Sequence, residues 1–184
     1  MVRSYGPRIN RRRAQRLVMT TRLISRNDAG RSGSGPSTNP ATNVDGGVVA
    51  YTTTAPDLIG ADPRGASQVV RATINGAAIG RRLASRVDSG APGSGASGAP
   101  SVTAKGEWVF FHTTAPDVAW DTARGADVNG VRDIAFFLQV NGSRLLLARA
   151  GATSPAANPV TSPHGNYVTF ERAGQVWLTY LGPR

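Results

Sequence analysis

Residues 46–57 read GGVVAYTTTAPD, and 60 residues later residues 106–117 read GEWVFFHTTAPD. The register between the two copies extends in both directions without a gap. RLISR at 22–26 lies over RLASR at 82–86, GSG at 33–35 over GSG at 93–95, and Pro40 over Pro100. A third copy follows with slightly shifted spacing: Arg149 matches Arg86, Pro159 matches Pro100, Gly165 matches Gly106, and YVTF at 167–170 matches WVFF at 108–111. Internal repeats of this length mark supersecondary units stacked on one another.

Each unit reads as four short strands. The first strands are NPATNV at 39–44, APSVTA at 99–104 and NPVTSP at 158–163. A Gly-containing turn leads to VVAYTTT at 48–54, WVFFHTT at 108–114 and YVTFER at 167–172, all rich in the β-branched and aromatic side chains that suit a half-buried pleated surface. The third strands are SQVVRATI at 67–74, DIAFFLQV at 133–140 and QVWLTYL at 175–181. Asn75-Gly76 and Asn141-Gly142 then turn the chain into GRRLASRV at 80–87 and RLLLARA at 144–150, because Asn and Gly both tolerate the positive φ of a tight hairpin.

These readings give an all-β fold of three four-stranded antiparallel propeller-type blades, at about 36–87, 96–150 and 156–184. The last blade lacks a fourth strand, and TTRLISR at 20–26 is of the fourth-strand type, so it is expected to complete that blade. Closed single-chain propellers have roughly four to eight blades. Three blades therefore predict either half of a six-bladed ring made by a homodimer or the C-terminal part of a longer propeller. The aromatic residues Trp108, Phe110, Phe111, Phe136, Phe137, Tyr167, Phe170 and Trp177 fall on second and third strands and are expected between blades.

Composition agrees with many turns and few long helices, since 22 Gly and 12 Pro fall mostly between apolar runs. No window approaches the about 18 apolar residues of a membrane helix. The absence of Cys removes disulfide and thiolate chemistry. The net charge of +10 is unevenly placed. Residues 1–31 hold nine Arg against Asp28 alone, a net +8, and the remainder holds twelve basic and ten acidic groups, a net +2. The basic arm 1–19, with Arg11, Arg12, Arg13 and Arg16, is the candidate anion-binding segment; the near-neutral body gives no reason to expect nucleic acid there. RLVMTTRLIS interrupts any apolar stretch of the about 7–15 residues that a secretory signal needs.

The pattern Pro-x-hydrophobic-Thr-x-x-Gly-x-hydrophobic-Val-x-Phe/Tyr, followed by Asp-x-Asn-Gly-x-x-Asp, resembles the TolB-like β-propeller repeats of bacterial proteins. It is carried by SPHGNYVTF at 162–170, FFHTTAPDV at 110–118 and DVNGVRDI at 127–134, and covers residues 20–184. His164 stands where that family commonly has Asp, and DPRGASQV at 62–69 departs from its loop at Arg64 and Gln68. The resemblance implies a binding scaffold and a periplasmic or extracellular setting. The same repeats also frame lyases and cap peptidases.

Candidate sites are few. Asp121, Asp127, Asn129 and Asp133 lie within thirteen residues, and hard oxygens at alternate positions before a Gly turn suit calcium, which takes roughly six to eight oxygen ligands. The competing assignment is that Asp and Asn here hold turns through local hydrogen bonds, as expected of Asp57 and Asp117 after TTAP. His112 and His164 sit on different repeats, and no Gly-x-Ser-x-Gly elbow or His-x-x-x-His pair occurs, so no catalytic set assembles. The segment AWDTARG at 119–125 has no counterpart in the first repeat, which makes Trp120 and Arg124 candidate partner-binding residues. The functional expectation is a non-catalytic scaffold for a protein or polysaccharide partner. The alternatives are a piece of a larger propeller enzyme and an anionic-polymer binder acting through the arm.

Overall fold

A computed structural model describes residues 20–60, 64–118, 130–140, 144–148 and 154–182. Three antiparallel sheets follow one another along the chain, each a meander in which every strand pairs with the next. The first contains β1 (Ser37–Thr42), β2 (Val48–Thr53), β3 (Gln68–Asn75) and β4 (Ala78–Leu83). The second contains β5 (Ser97–Val102), β6 (Trp108–Thr113), β7 (Asp133–Leu138) and β8 (Arg144–Ala148). The third has β9 (Ala156–Thr161), β10 (Tyr167–Arg172) and β11 (Gln175–Tyr180). One short helix, α1 (Pro56–Ile59), lies between β2 and β3 and opens on a proline whose missing N–H costs nothing there. Among the described residues no helix is long and apolar enough to cross a membrane.

The first strand of each blade begins two residues earlier than the sequence placed it, for a reason common to all three. Asn39, Ala99 and Asn158 adopt φ of 50, 46 and 51°, each just before a proline. The strand register jumps at each of these points. A proline cannot donate to the ladder, so the chain accommodates it with a bulge rather than ending the strand. Read in sequence, Asn-Pro and Ala-Pro look like strand starts.

The blades stack face to face through apolar joints. Ala50 and Val69 of the first blade, with Ala84, bury against Val109, Phe111, Ala115, Val118, Ala135 and Phe137. In the next joint Phe110 and Phe136 meet Val168, while Ile134 meets Ala156 and Phe170. Side chains of this size each contribute about 1.5–3 kcal/mol on burial, so these joints are the main stabilising term. Backbone hydrogen bonds tie the blades together: Ser97 N–H donates to Ser67 O at 2.8 Å and Ala156 N–H to Arg132 O at 2.7 Å. The expected aromatic core holds for the phenylalanines. It does not hold for Tyr167 and Trp177, which are 46% and 48% exposed. Tyr167 lies on the far side of the third sheet, which no described blade covers; Trp177, opposite Phe170 on the side toward the second blade, stacks under the Arg172 guanidinium and donates from Nε1 to Arg172 O at 3.2 Å.

Within one chain, segment 20–26 does not reach the third blade. This segment forms no strand beyond a single bridge between Arg26 and Ser32, and it lies on the first blade. The Arg22 guanidinium donates to the carbonyls of Gly76 and Ala77, Arg26 donates to Ala77 O at 2.6 Å, and Ile24 packs with Tyr51, Leu58 and Val70. The cause is the repeat itself. Sixty residues on, Arg82 donates to Gln139 O and lies over the Phe137 ring of the second blade, and Arg86 bridges to Pro92. Segment 20–26 thus occupies, against the first blade, the place that 82–86 occupies against the second. Among the described residues the third sheet keeps three strands, with β11 at its edge.

Candidate binding surface

The turns between first and second strands form one end of the molecule, and their geometry is threefold repeated. Gly46, Gly106 and Gly165 adopt φ of 72, 72 and 74°, which a side chain would strain. Their amides donate to Asn43 O, Thr103 O and Ser162 O. The side chains of those same residues accept from the amides of Val48, Trp108 and Tyr167 at 2.8, 3.2 and 3.1 Å. The turns are also chained laterally: Val44 N–H donates to Ala104 O, and Ala104 N–H to Pro163 O. A rigid row of turns results.

Between the second and third of these turns opens a cleft of about 430 Å³, lined by Thr103, Lys105, Glu107, Trp108, Pro163, His164 and Asn166. Its aromatic wall is braced from behind, because the Trp108 ring sits 4.8 Å from Phe136. The side-chain oxygen of Asn166 is buried and has no hydrogen-bond partner within the protein. An unmet buried acceptor is costly. Lys105, Glu107 and His164 place a cation, an anion and an imidazole around it.

The opposite end is used for structure. Ser34 donates from N–H and Oγ to Asp57 Oδ1 at 2.8 and 2.7 Å, and Asn27 donates to Asp57 Oδ2 at 3.0 Å. These bonds, led by the Ser34 amide, push the Asp57 carboxyl down to about 2. Ser94 makes the same two bonds to Asp117 at 2.9 and 2.8 Å. The Asp of each TTAPD therefore fastens a Gly-rich connector 23 residues earlier in the chain, a longer-range role than the local turn bonds expected of it. Gln68, fully buried at the start of β3, donates to the carbonyls of Gly93 and Gly95 and accepts from Ser85.

Asp133 opens β7 at the position of Gln68 and is likewise fully buried. The other members of the acidic loop, Asp121, Asp127 and Asn129, lie outside the described residues, as do Trp120, Arg124, Arg11, Arg12, Arg13 and Arg16. Among the described residues no group of three or more His, Asp or Glu could hold a metal ion. His112 is half-buried in the joint, where its Nδ1 accepts from the Asn158 amide at 3.4 Å. Burial, with the nearby Arg132 charge adding to it, pushes its pKa down to about 4, so at neutral pH the ring is an uncharged acceptor. The cleft residues Lys105, Glu107 and Asn166 escaped the sequence reading. Their one signal was position, flanking Gly106 and Gly165 in AKGEW and HGNY.

No family model matches the chain, and no curated protein matches it. Solved structures do. The structure of a putative TolB from Agrobacterium tumefaciens superposes with a TM-score of 0.51 at 16% identity over 78% of this chain and 42% of that one. TolB from Acinetobacter baumannii gives a TM-score of 0.47 at 17% identity over 82% of this chain and 31% of that one. The chain thus spans less than half the length of either structure. At such identity the likeness speaks to architecture alone, and on that point it agrees with the stacked meanders: the fold is a TolB-like β-propeller fold of three blades.

Proposed function

We propose that this chain is a non-catalytic binding scaffold whose turn-end cleft takes a segment of a partner protein. The observation that carries the reading is the unpaired Asn166 oxygen beside Trp108, Lys105, Glu107 and His164. A backbone N–H supplies the missing donor, the indole offers an apolar wall, and the charges select flanking side chains. The engagement of Asp57, Asp117 and His112 in connectors and joints supports a binding role over a chemical one.

The test is selection of peptides from a random display library on the immobilised chain. Enriched peptides are expected to lose binding to Asn166→Leu and to the double variant Lys105→Glu/Glu107→Lys, with the circular dichroism of both unchanged. Peptides that bind both variants as well as the original chain would overturn the reading. So would a glycan array on which this cleft retains an oligosaccharide and the peptides do not compete, since the partner would then be a polysaccharide.

A further inference from the structure

The in-chain joints follow one rule, and the two outermost faces of the molecule satisfy it with each other. The second residue of the third strand inserts against the aromatic residue on the second strand of the following blade. Val69 shares a buried cluster with Phe111, and Ile134 shares one with Phe170; both inserted residues are fully buried. Strand register makes Val176 the next inserted residue, because it faces Glu171 as Val69 faces Thr52 and Ile134 faces His112. Val176 is 78% exposed. Around it Leu178, Tyr180, Tyr167 and Val160 are exposed as well, on the side of the sheet whose counterparts Phe110, Ile134 and Phe136 are buried in the second blade.

The receiving half of the rule is present at the other end of the chain. The counterpart of Phe111 and Phe170 is Tyr51, on the open side of the first blade. There it lines a cleft of about 190 Å³ with Leu23, Ile24, Pro40 and Val49. Tyr51 is 4% exposed, and its hydroxyl is buried with no hydrogen-bond partner. A cleft beside the joint-equivalent Tyr51 is thus open, and a side chain of the matching register is exposed.

We propose that a second copy of this chain fills both: the third blade of each molecule docks on the first blade of the other, Val176 seating against Tyr51. The contact continues the joints already present inside the chain, and the two joints are equivalent by a twofold axis, so the assembly closes instead of growing into a filament. The described residues of each chain form three blades, and two such sets make six, within the roughly four to eight of closed propellers. Segment 20–26 would then run beside the partner's exposed β11 edge and cover it, which relieves a strand edge that otherwise invites aggregation. The near-neutral body, net +2 beyond residue 31, sets up little repulsion between copies.

The test uses the full chain, whose lack of cysteine makes crosslinking clean. Solution mass by light scattering is expected at twice the 19.2 kDa of one chain, and Val176→Asp is expected to return it to one chain with unchanged circular dichroism. Because a variant could unfold, a second measurement pairs chains carrying Val176→Cys with chains carrying Ile24→Cys, Ile24 being the counterpart of Ala84, whose amide donates to Val69 O. A disulfide between the two types on mixing, and none within Val176→Cys alone, is expected. A monomeric mass, or self-crosslinking of Val176→Cys through a face-to-face dimer, would overturn the proposal.

Discussion

The amide of Ser34 donates to Asp57 at 2.8 Å, and 60 residues on Ser94 repeats the bond to Asp117 at 2.9 Å. In both cases a Gly-rich connector that looks unstructured is anchored by an aspartate 23 residues away. Because these bonds favour the charged carboxylate, the Asp57 pKa lies near 2 instead of 3.8. A depressed carboxyl pKa adds stability above the unfolded value, and that stability disappears as pH falls from about 4 to about 2. Urea midpoints should therefore drop over that window in the parent chain and drop less in Asp57→Asn. Asp117→Ala should cost about 1.5–3 kcal/mol at neutral pH, the usual loss for a charge-assisted bond.

His112 predicts a second and separate acid limb. Its folded pKa of about 4 lies below the unfolded 6.5. Between these values only the unfolded chain takes up the proton, so stability falls as pH is lowered from about 6.5 to about 4 and then levels. His112→Thr installs the residue that the first blade has at the same position, Thr52. It should flatten this part of the profile; a slope unchanged in the variant would show that another group carries it.

Gly46 and Gly106 separate backbone strain from packing. Both have φ of 72°, yet a Cβ on Gly46 meets nothing within 4 Å, whereas one on Gly106 comes within 2.5 Å of Val48 Cγ2. Gly46→Ala should cost about 1–2 kcal/mol from the left-handed conformation alone. Gly106→Ala should cost about 1–3 kcal/mol more, because it also displaces a residue buried in the joint. Chemical denaturation of the two variants side by side measures the difference.

Asp133 decides between the two assignments of the acidic loop. Its complete burial at the Gln68 position supports a structural role in the joint. Asp133→Ala should destabilise the chain by about 1–3 kcal/mol, equally in calcium and in chelator. A calcium-dependent melting temperature that the variant abolishes would make the loop a metal site instead.

The repeat was legible because strand chemistry is local. VVAYTT, WVFFHT and YVTFER carry the β-branched and aromatic side chains of half-buried strands, and they emerged as β2, β6 and β10 at the expected places. The hairpin expected at Asn75-Gly76 formed one residue later: Asn75 pairs with Ala78, and the two loop residues are Gly76, at φ 53°, and Ala77. The bulges at Asn39, Ala99 and Asn158 were hidden, since a proline within a strand reads as a boundary unless the neighbouring strand is known. The turn-end cleft was hidden too: Glu107 and Asn166 are remote in sequence, and only the lateral chaining of turns brings them together.

What the sequence determined by itself was the unit: a meander of alternating buried strands, repeated three times, with a glycine at a fixed place in the first turn of every copy and an aspartate after the second strand of two of them. Tertiary structure alone decided how the ends are used. Segment 20–26 has the composition of a closing strand, but which sheet it joins depends on where Gly76, Ala77 and Tyr51 lie in space. It packs on the first blade because the joint geometry repeats every 60 residues, and this leaves Val176 and its neighbours uncovered at the other end. Local propensity selects a strand's type; its partner is selected by the apolar face it can cover.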